Sequence, residues 1–404
     1  MSSCPVHCSK SRLARAACLG GLALFVIASS SKAQDAAQAS AYGLTTEAPR
    51  ALFVEDRTGT VILSKNAAEP FPPASLAKLM TMEIVFEAIE SGEISLASEY
   101  PVSEHAWRTG GAPSGTSTMF AAIKSSVPVS ALIRGTIIQA ANDGAIILAE
   151  GLEGSEEAFA KRMNDRAAEL GLKDSHFVNP TGLPAEGQKT SARDLVTLAR
   201  HLREAHPDLY KIFAEPAFEW NGIFQRNRNP VLAETIGGEG IGTGYTENSG
   251  YSLMAVVSRG DRLFYLALSG LPSGAEREAE ARRLLDFGFD GLVETDILSA
   301  GAVVASVPVF NGAGESVSVR VDRPVRILLP EASLGDVEAR IRFEGPLIAP
   351  VEDGDEVGVL DIQVADETVY SQTVYASGSV PVGSFTDRAV GAMEELALGW
   401  TRSF

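Results

Sequence analysis

The chain has 404 residues, 45% of them hydrophobic and 21% charged, with a formal net charge of −18. That is the make-up of a globular protein long enough for two or three domains. Its acidity speaks against nucleic acid as a partner, because phosphate contacts need a basic face.

Residues 1–33 read as an export signal. They carry Lys10, Arg12, Arg15 and Lys32 and no acid, around the apolar run LARAACLGGLALFVIASS. Small residues at Ser31 and Ala33 fit a cleavage site before Gln34. The run is too short to span a bilayer comfortably, which takes about 20 residues. Cys4, Cys8 and Cys18 all fall inside this segment. Without it the chain has no cysteine for a disulfide, a thiolate nucleophile or a metal site. An exported protein whose core is large enough to need no staples is expected.

From Ala48 to Asn66 two apolar runs flank RTGT, which predicts a strand pair. After FPPAS, Leu76, Leu79, Met80, Ile84, Val85, Ala88 and Ile89 recur at helical spacing. The stretch VSALIRGTIIQAANDGAIILAEGL predicts apolar helix with an interruption at Asn142-Asp143-Gly144. SEEAFAKRMNDRAAELGL begins with Ser155 as cap and ends at Gly171, and SARDLVTLARHLREA has a similar cap. Two apolar strands surround Arg259-Gly260-Asp261, read as a hairpin turn, and EREAEARRLLDFGFDGL closes this part as a helix. Beyond Ser299, VSVRV, VRILLP, EARIRF and VGVLDIQV alternate at period two, which predicts a small all-β domain. The last stretch carries a helical stripe of Phe385, Ala389, Val390, Met393, Leu396, Trp400 and Phe404. Such a stripe suits a membrane interface or packing on the β domain. Asp387, Glu394 and Glu395 outnumber Arg388 and Arg402, so anionic lipid would not attract it.

Two stretches invite a chemical reading. The glycine-rich run GGEGIGTGYTENSGY lacks the G-x-G-x-x-G and P-loop spacings and leads into a strand, so a nucleotide site is not expected. Glycine in strand surroundings instead suggests close approach of another backbone or of a ligand. In PPASLAKLMT, Ser75 and Lys78 lie three apart, on one helical face. As a bare pattern this is a cap and a surface charge. In an apolar helix it can instead be a nucleophile beside a desolvated lysine that takes its proton. His105, His176, His201 and His206 make no His-x-x-x-His pair and are expected as surface or capping residues. No G-x-S-x-G elbow supports a Ser-His-Asp triad.

FPPASLAKLMT, TSTMF, IIQAANDGAIILAE, LGLKDSHFVNPTGL, TSARDL, FEWNGIFQRNRN, GIGTGYTENSGYSLMAVV and EREAEARRLLDFGF occur in this order. From Ala48 to Val293 the chain thereby resembles the serine-type D-Ala-D-Ala carboxypeptidases, low-molecular-mass penicillin-binding proteins. The resemblance implies an α/β + β fold. A β-lactamase/transpeptidase-like domain, an antiparallel sheet with a helical subdomain, would occupy residues 34–297. A small all-β domain (298–380) and an amphipathic tail helix (381–404) would follow. It implies Ser75 as nucleophile, Lys78 as general base and Asn142 positioning Lys78 and the substrate amide. Thr243 would bind the terminal carboxylate, with Arg277 near it. The backbone N–H groups of Ser75 and Tyr245 would form the oxyanion hole. Gly244 and its neighbours would let the substrate backbone lie against the strand. No metal or cofactor is implied. The partners implied are a peptidoglycan stem peptide, β-lactams as inhibitors, and peripheral contact of the tail with the outer face of the inner membrane, in the periplasm.

The chain departs from that pattern twice. Gly242-Thr243-Gly244 stands where the family has Lys-Thr-Gly, and Ala140-Ala141-Asn142 where it has Ser-x-Asn. One reading is a re-tuned enzyme, the other a penicillin-binding scaffold with little turnover. With glycine at 242, Lys78 is expected to stay protonated to higher pH than with a lysine there.

Overall fold

Apolar runs bounded by turns build a five-stranded antiparallel sheet, its central strands buried almost throughout. Its strands are β1 (Arg50–Glu55), β2 (Val61–Lys65), β3 (Gly238–Thr246), β4 (Gly250–Arg259) and β5 (Arg262–Leu271), in the order β2-β1-β5-β4-β3. The computed structural model describes residues 2–6, 41–235, 237–331, 337–386 and 388–389.

The longer helices of this part are α1 (Lys78–Glu90), α2 (Val129–Ile138), α3 (Asn142–Glu153), α4 (Glu156–Glu169), α5 (Ala192–Ala205) and α6 (Gly274–Asp290). Neighbouring strand residues point to opposite faces. Tyr265 accordingly meets Arg200 of α5, 5.3 Å from the guanidinium carbon to the ring centroid. Phe264 turns the other way, edge-on to Phe289 of α6 at 4.6 Å. The sheet thus has a helix on each face.

Away from the sheet, α1 is apolar nearly all round and is buried from Lys78 to Phe86. It touches α2, α3, α4 and α5, as a helix without a polar face must. Serine caps start the outer helices as expected. The hydroxyls of Ser155, Ser191 and Ser273 accept from Ala158, Asp194 and Glu276 N–H. One expectation is corrected. The helical interruption falls at residues 139–141, and Asn142 opens α3 instead of breaking it. Ala140 sits at φ 56°, the left-handed region that ends a helix run.

The chain divides into two units, Thr46–Val293 and Met1–Thr45 with Glu294–Phe404. In the second, a curled sheet includes β6 (Val303–Phe310), β7 (Ser316–Arg320), β8 (Val337–Phe343), β9 (Glu356–Val364) and β10 (Glu367–Ser377). Strands β8, β9 and β10 pair antiparallel in sequence, and Ser2–Val6 pairs along the free edge of β8. Val357, Leu360, Ile362, Val369, Val374 and Ala376 fill its interior. The tail stripe from Val390 onward lies outside the described residues, as do residues 7–33 of the segment read as an export signal. Among the described residues no helix is long and apolar enough to cross a membrane.

A polar knot sits inside the helical region. Glu83, wholly buried on α1, takes Arg166 Nε at 2.9 Å, His201 Nε2 at 3.0 Å and His206 Nε2 at 3.2 Å. His206 Nδ1 lies 2.8 Å from Glu90. This corrects the surface reading for His206, which is buried at the end of α5. Burial pulls the His206 pKa down, but Glu83 and then Glu90 more than reverse it, and the net direction is up. A raised folded pKa gives stability that is complete below the unfolded value, about 6.5, and fades as pH rises through the folded one. His206→Asn should therefore lower Tm more at about pH 5.5 than at about pH 8.5. Equal losses in thermal melts at both would show that the histidine's charge contributes nothing.

Candidate active site

Ser75 belongs to a short 3₁₀ turn, Ala74–Ala77, that leads directly into α1. It caps nothing, since the turn starts without a side-chain cap, and its hydroxyl is left for Lys78 Nζ at 3.2 Å. Lys78 is no surface charge either, being only 4% exposed. Its other contacts are Asn142 Oδ1 at 2.7 Å and the carbonyl oxygen of Thr181. Ser75 is half-buried and lines an open cleft of about 350 Å³ with Thr116, Ser117, Asn142, Arg228 and Tyr245.

Each partner is fixed by its own local chemistry. Asn142 donates from Nδ2 to Thr116 Oγ1 at 2.9 Å, and its backbone N–H donates to Ser117 O at 2.7 Å. The next residue, Asp143, is fully buried and accepts from Thr118 Oγ1 and from the N–H groups of Met119, Ala121 and Gly144. Segment 116–121 is thereby pinned to the start of α3. Burial raises the Asp143 pKa, against these hydrogen bonds. Thr181 sits in a turn organised by Asn179, whose Oδ1 accepts from the Thr181 and Gly182 N–H groups. The preceding carbonyl, Pro180 O, accepts from Thr81 Oγ1 at 2.7 Å, which ties the turn to α1.

A Cβ on Gly244 would stand 2.9 Å from Pro73 O and 3.1 Å from Ala74 Cβ, and one on Gly242 3.1 Å from Leu76 Cδ2. Their bare faces admit the chain's own turn that carries Ser75. Thr243 lines a narrow cavity of about 20 Å³ behind Ser75, together with Lys78, Thr136, Ala140, Arg228 and Gly242. Both departures from the family pattern therefore border one small space. The exposed Tyr245 stacks on Tyr251 with centroids 4.3 Å apart. Arg277 lies behind that pair, 5.8 Å from the Tyr251 ring centroid, and lines neither the cleft nor the cavity.

Lys78 does not keep an ordinary ammonium pKa. Burial, then the nearby Arg228 charge, push it down to about 7, with Asp143 opposing. Arg228, Thr116, Ser117 and the Thr181 carbonyl were not singled out from sequence. The sequence test for metal ligands also missed Glu83, His201 and His206, whose ligand atoms lie within 4.8 Å of one another. Arg166 already occupies Glu83 Oε1, and its Nη2 lies 3.3 Å from His201 Nε2, so the group is an ion-pair network.

A serine held by a buried lysine and an asparagine defines an acyl-transfer site of the transpeptidase-like α/β class. Residues 33–267 match the family described as D-alanyl-D-alanine carboxypeptidase, and residues 294–382 match the C-terminal domain of penicillin-binding protein 5. The chain is 32% identical to the D-alanyl-D-alanine carboxypeptidase DacA of Escherichia coli, over 86% of this chain and 87% of that one. Among solved structures it is similar to penicillin-binding protein 5 of Haemophilus influenzae, with TM-score 0.66 and 29% identity over 83% of this chain and 97% of that one. It is also similar to penicillin-binding protein D2 of Listeria monocytogenes in its ampicillin-bound form, with TM-score 0.53 and 26% identity over 61% and 99%. The chain belongs to the serine-type D-alanyl-D-alanine carboxypeptidase family.

The turn that presents Ser75 depends on Gly182. It has φ 82°, and a Cβ there would fall 1.7 Å from Ala74 O. Gly182→Ala should push the Ser75 turn away from Lys78, lower stability by about 2 kcal/mol or more, and slow acylation of Ser75. An unchanged melt and an unchanged acylation rate would refute this.

Proposed function

We propose that the protein removes the terminal D-alanine from D-Ala-D-Ala stem peptides of peptidoglycan through an acyl-Ser75 intermediate. The observation that carries this is the 3.2 Å contact between Ser75 Oγ and Lys78 Nζ, with Lys78 pushed down to about 7. A neutral amine has one lone pair to accept the Ser75 proton. Its two N–H groups remain for Asn142 Oδ1 and Thr181 O. Ser75 Oγ then bonds to the carbonyl carbon between the two D-alanines, while the Ser75 and Tyr245 N–H groups take up the developing oxyanion. The proton on Lys78 passes to the leaving amine as the C–N bond breaks. Water then opens the ester and restores Ser75. Asn142 holds Lys78 and the substrate amide, Thr243 receives the terminal carboxylate, and Arg277 adds positive charge from behind Tyr251.

Losing the hydroxyl at position 140 and the cation at position 242 removes interactions, each worth about 1.5–3 kcal/mol if charge-assisted. Losing a general base costs roughly 10²–10⁴ in rate. The retained serine and lysine therefore favour a slowed enzyme over an inert scaffold. Exposure to benzylpenicillin should add one acyl group to the protein by intact mass, and Ser75→Ala should add none. A D-Ala-D-Ala peptide should release D-alanine, with Asn142→Ala slower by about 10- to 100-fold. Adduct without any D-alanine release would identify a scaffold, and no adduct would sink both readings.

The working place proposed is the periplasm after export, with the tail helix lying peripherally on the inner membrane. Phe385, 81% exposed, is the first residue of the apolar stripe and supports that reading. Deleting residues 383–404 should then move the protein from the membrane to the soluble fraction. Unchanged fractionation would leave the tail without an anchoring role.

A further inference from the structure

Among the described residues, the charged side chains lining the cleft before Ser75 and the cavity behind it are Lys78 and Arg228 alone. Arg228 borders both spaces. Its backbone N–H donates to Ile138 O at 3.2 Å, Nε to Gln139 Oε1 at 3.3 Å and Nη1 to Ser117 Oγ at 2.8 Å. These are all neutral acceptors. The flanking asparagines pin its backbone from both sides: Asn227 Nδ2 donates to Phe213 O and Glu215 O, and Asn229 Nδ2 to Met254 O. The guanidinium, on an exposed residue, is thus held in place, and among the described residues no carboxylate is hydrogen-bonded to it. Asp143, which also acts on Lys78, already accepts four hydrogen bonds from its own surroundings. Gly242, on the facing wall of the same cavity, contributes no side chain.

We propose that Arg228 is a positioning residue for acylation, whose fixed, uncompensated charge keeps Lys78 in the neutral form that accepts the Ser75 proton. A like charge close to a buried amine disfavours its protonation, and an arginine cannot relieve the repulsion by losing its own proton. The direction agrees with Lys78, on which Arg228 acts to lower and Asp143 to raise the pKa. The proposal rests on the reading of Ser75 as nucleophile and Lys78 as base. It adds that the cation tuning this base comes from the loop after the hairpin Ala217–Arg226, not from strand β3.

The test is the pH profile of Ser75 acylation by benzylpenicillin, measured on the wild type, Arg228→Gln, Arg228→Lys and the double variant Arg228→Gln, Gly242→Lys. The wild-type acid limb should lie near 7. Arg228→Gln should move it upward by about half a pH unit or more, with the alkaline plateau within about threefold of the wild type. Arg228→Lys should leave the limb in place. A lysine introduced at 242 would have its Cβ nearest to the Leu76 and Leu79 side chains, at 3.1 and 3.7 Å. In the double variant it should draw the limb back down. An unmoved limb in Arg228→Gln, or a rate lowered equally at every pH, would overturn the proposal while leaving the nucleophile reading intact. A wild type that takes no adduct at any pH would overturn that reading and this proposal with it.

Discussion

The site is organised around a buried amine. Moving the Lys78 pKa from 10.5 to about 7 sets roughly 5 kcal/mol against its charged form. That exceeds what an exposed ion pair supplies, about 0–1 kcal/mol. Such an environment persists only if the amine's hydrogen-bonding capacity is met from several directions at once. Here the three partners come from the turn before α1, the first residue of α3 and the turn after Pro180. The fold must bring those three segments to one point. Apolar packing of α1 on four helices and the Asp143 and Asn179 turn networks are how it does so.

Much of this was legible in the sequence. Apolar runs flanking the RTGT and RGD turns gave β1, β2, β4 and β5, because short apolar runs bounded by turn residues suit strands buried on both faces. Serines before acidic first turns gave the starts of α4 and α5. The spacing of Ser75 and Lys78 raised catalysis but could not decide it, since the same spacing serves a cap and a surface charge. What removes the surface-charge reading is that Lys78 is buried, and burial is a property of all the helices around α1.

The remainder was hidden for identifiable reasons. The Thr181 carbonyl is backbone and has no residue-type signature. Arg228 carries no mark that separates it from any surface arginine until the fold sets it beside Ser117 and Gln139. His201 and His206 are five apart, so no helical ligand spacing flagged them, and Glu83 reaches them from another helix. Asn142-Asp143-Gly144 looked like a breaker because these residue types favour turns. The turn lies one step earlier, and the asparagine and aspartate side chains are turned toward Lys78 and segment 118–121.

The glycines of β3 join these threads. Close approach was the right inference, and the partner is the chain itself. Gly244 admits Pro73 O and Ala74, and Ala74 in turn adopts φ 50° immediately before the nucleophile. A side chain at 244 would push away the turn that presents Ser75. Position 242 is under less constraint, for the atoms nearest to a Cβ there belong to leucine side chains and not to backbone. Its glycine leaves space of about 20 Å³, enough for roughly one water. The two glycines of Gly-Thr-Gly therefore answer different demands: the second is steric, and the first is a choice about charge. Burial is the larger influence on Lys78. In the proposed mechanism, a base made mainly by desolvation can lack one neighbouring cation and remain a base. On the proposal made for Arg228, the charge there would then set where on the pH scale it works.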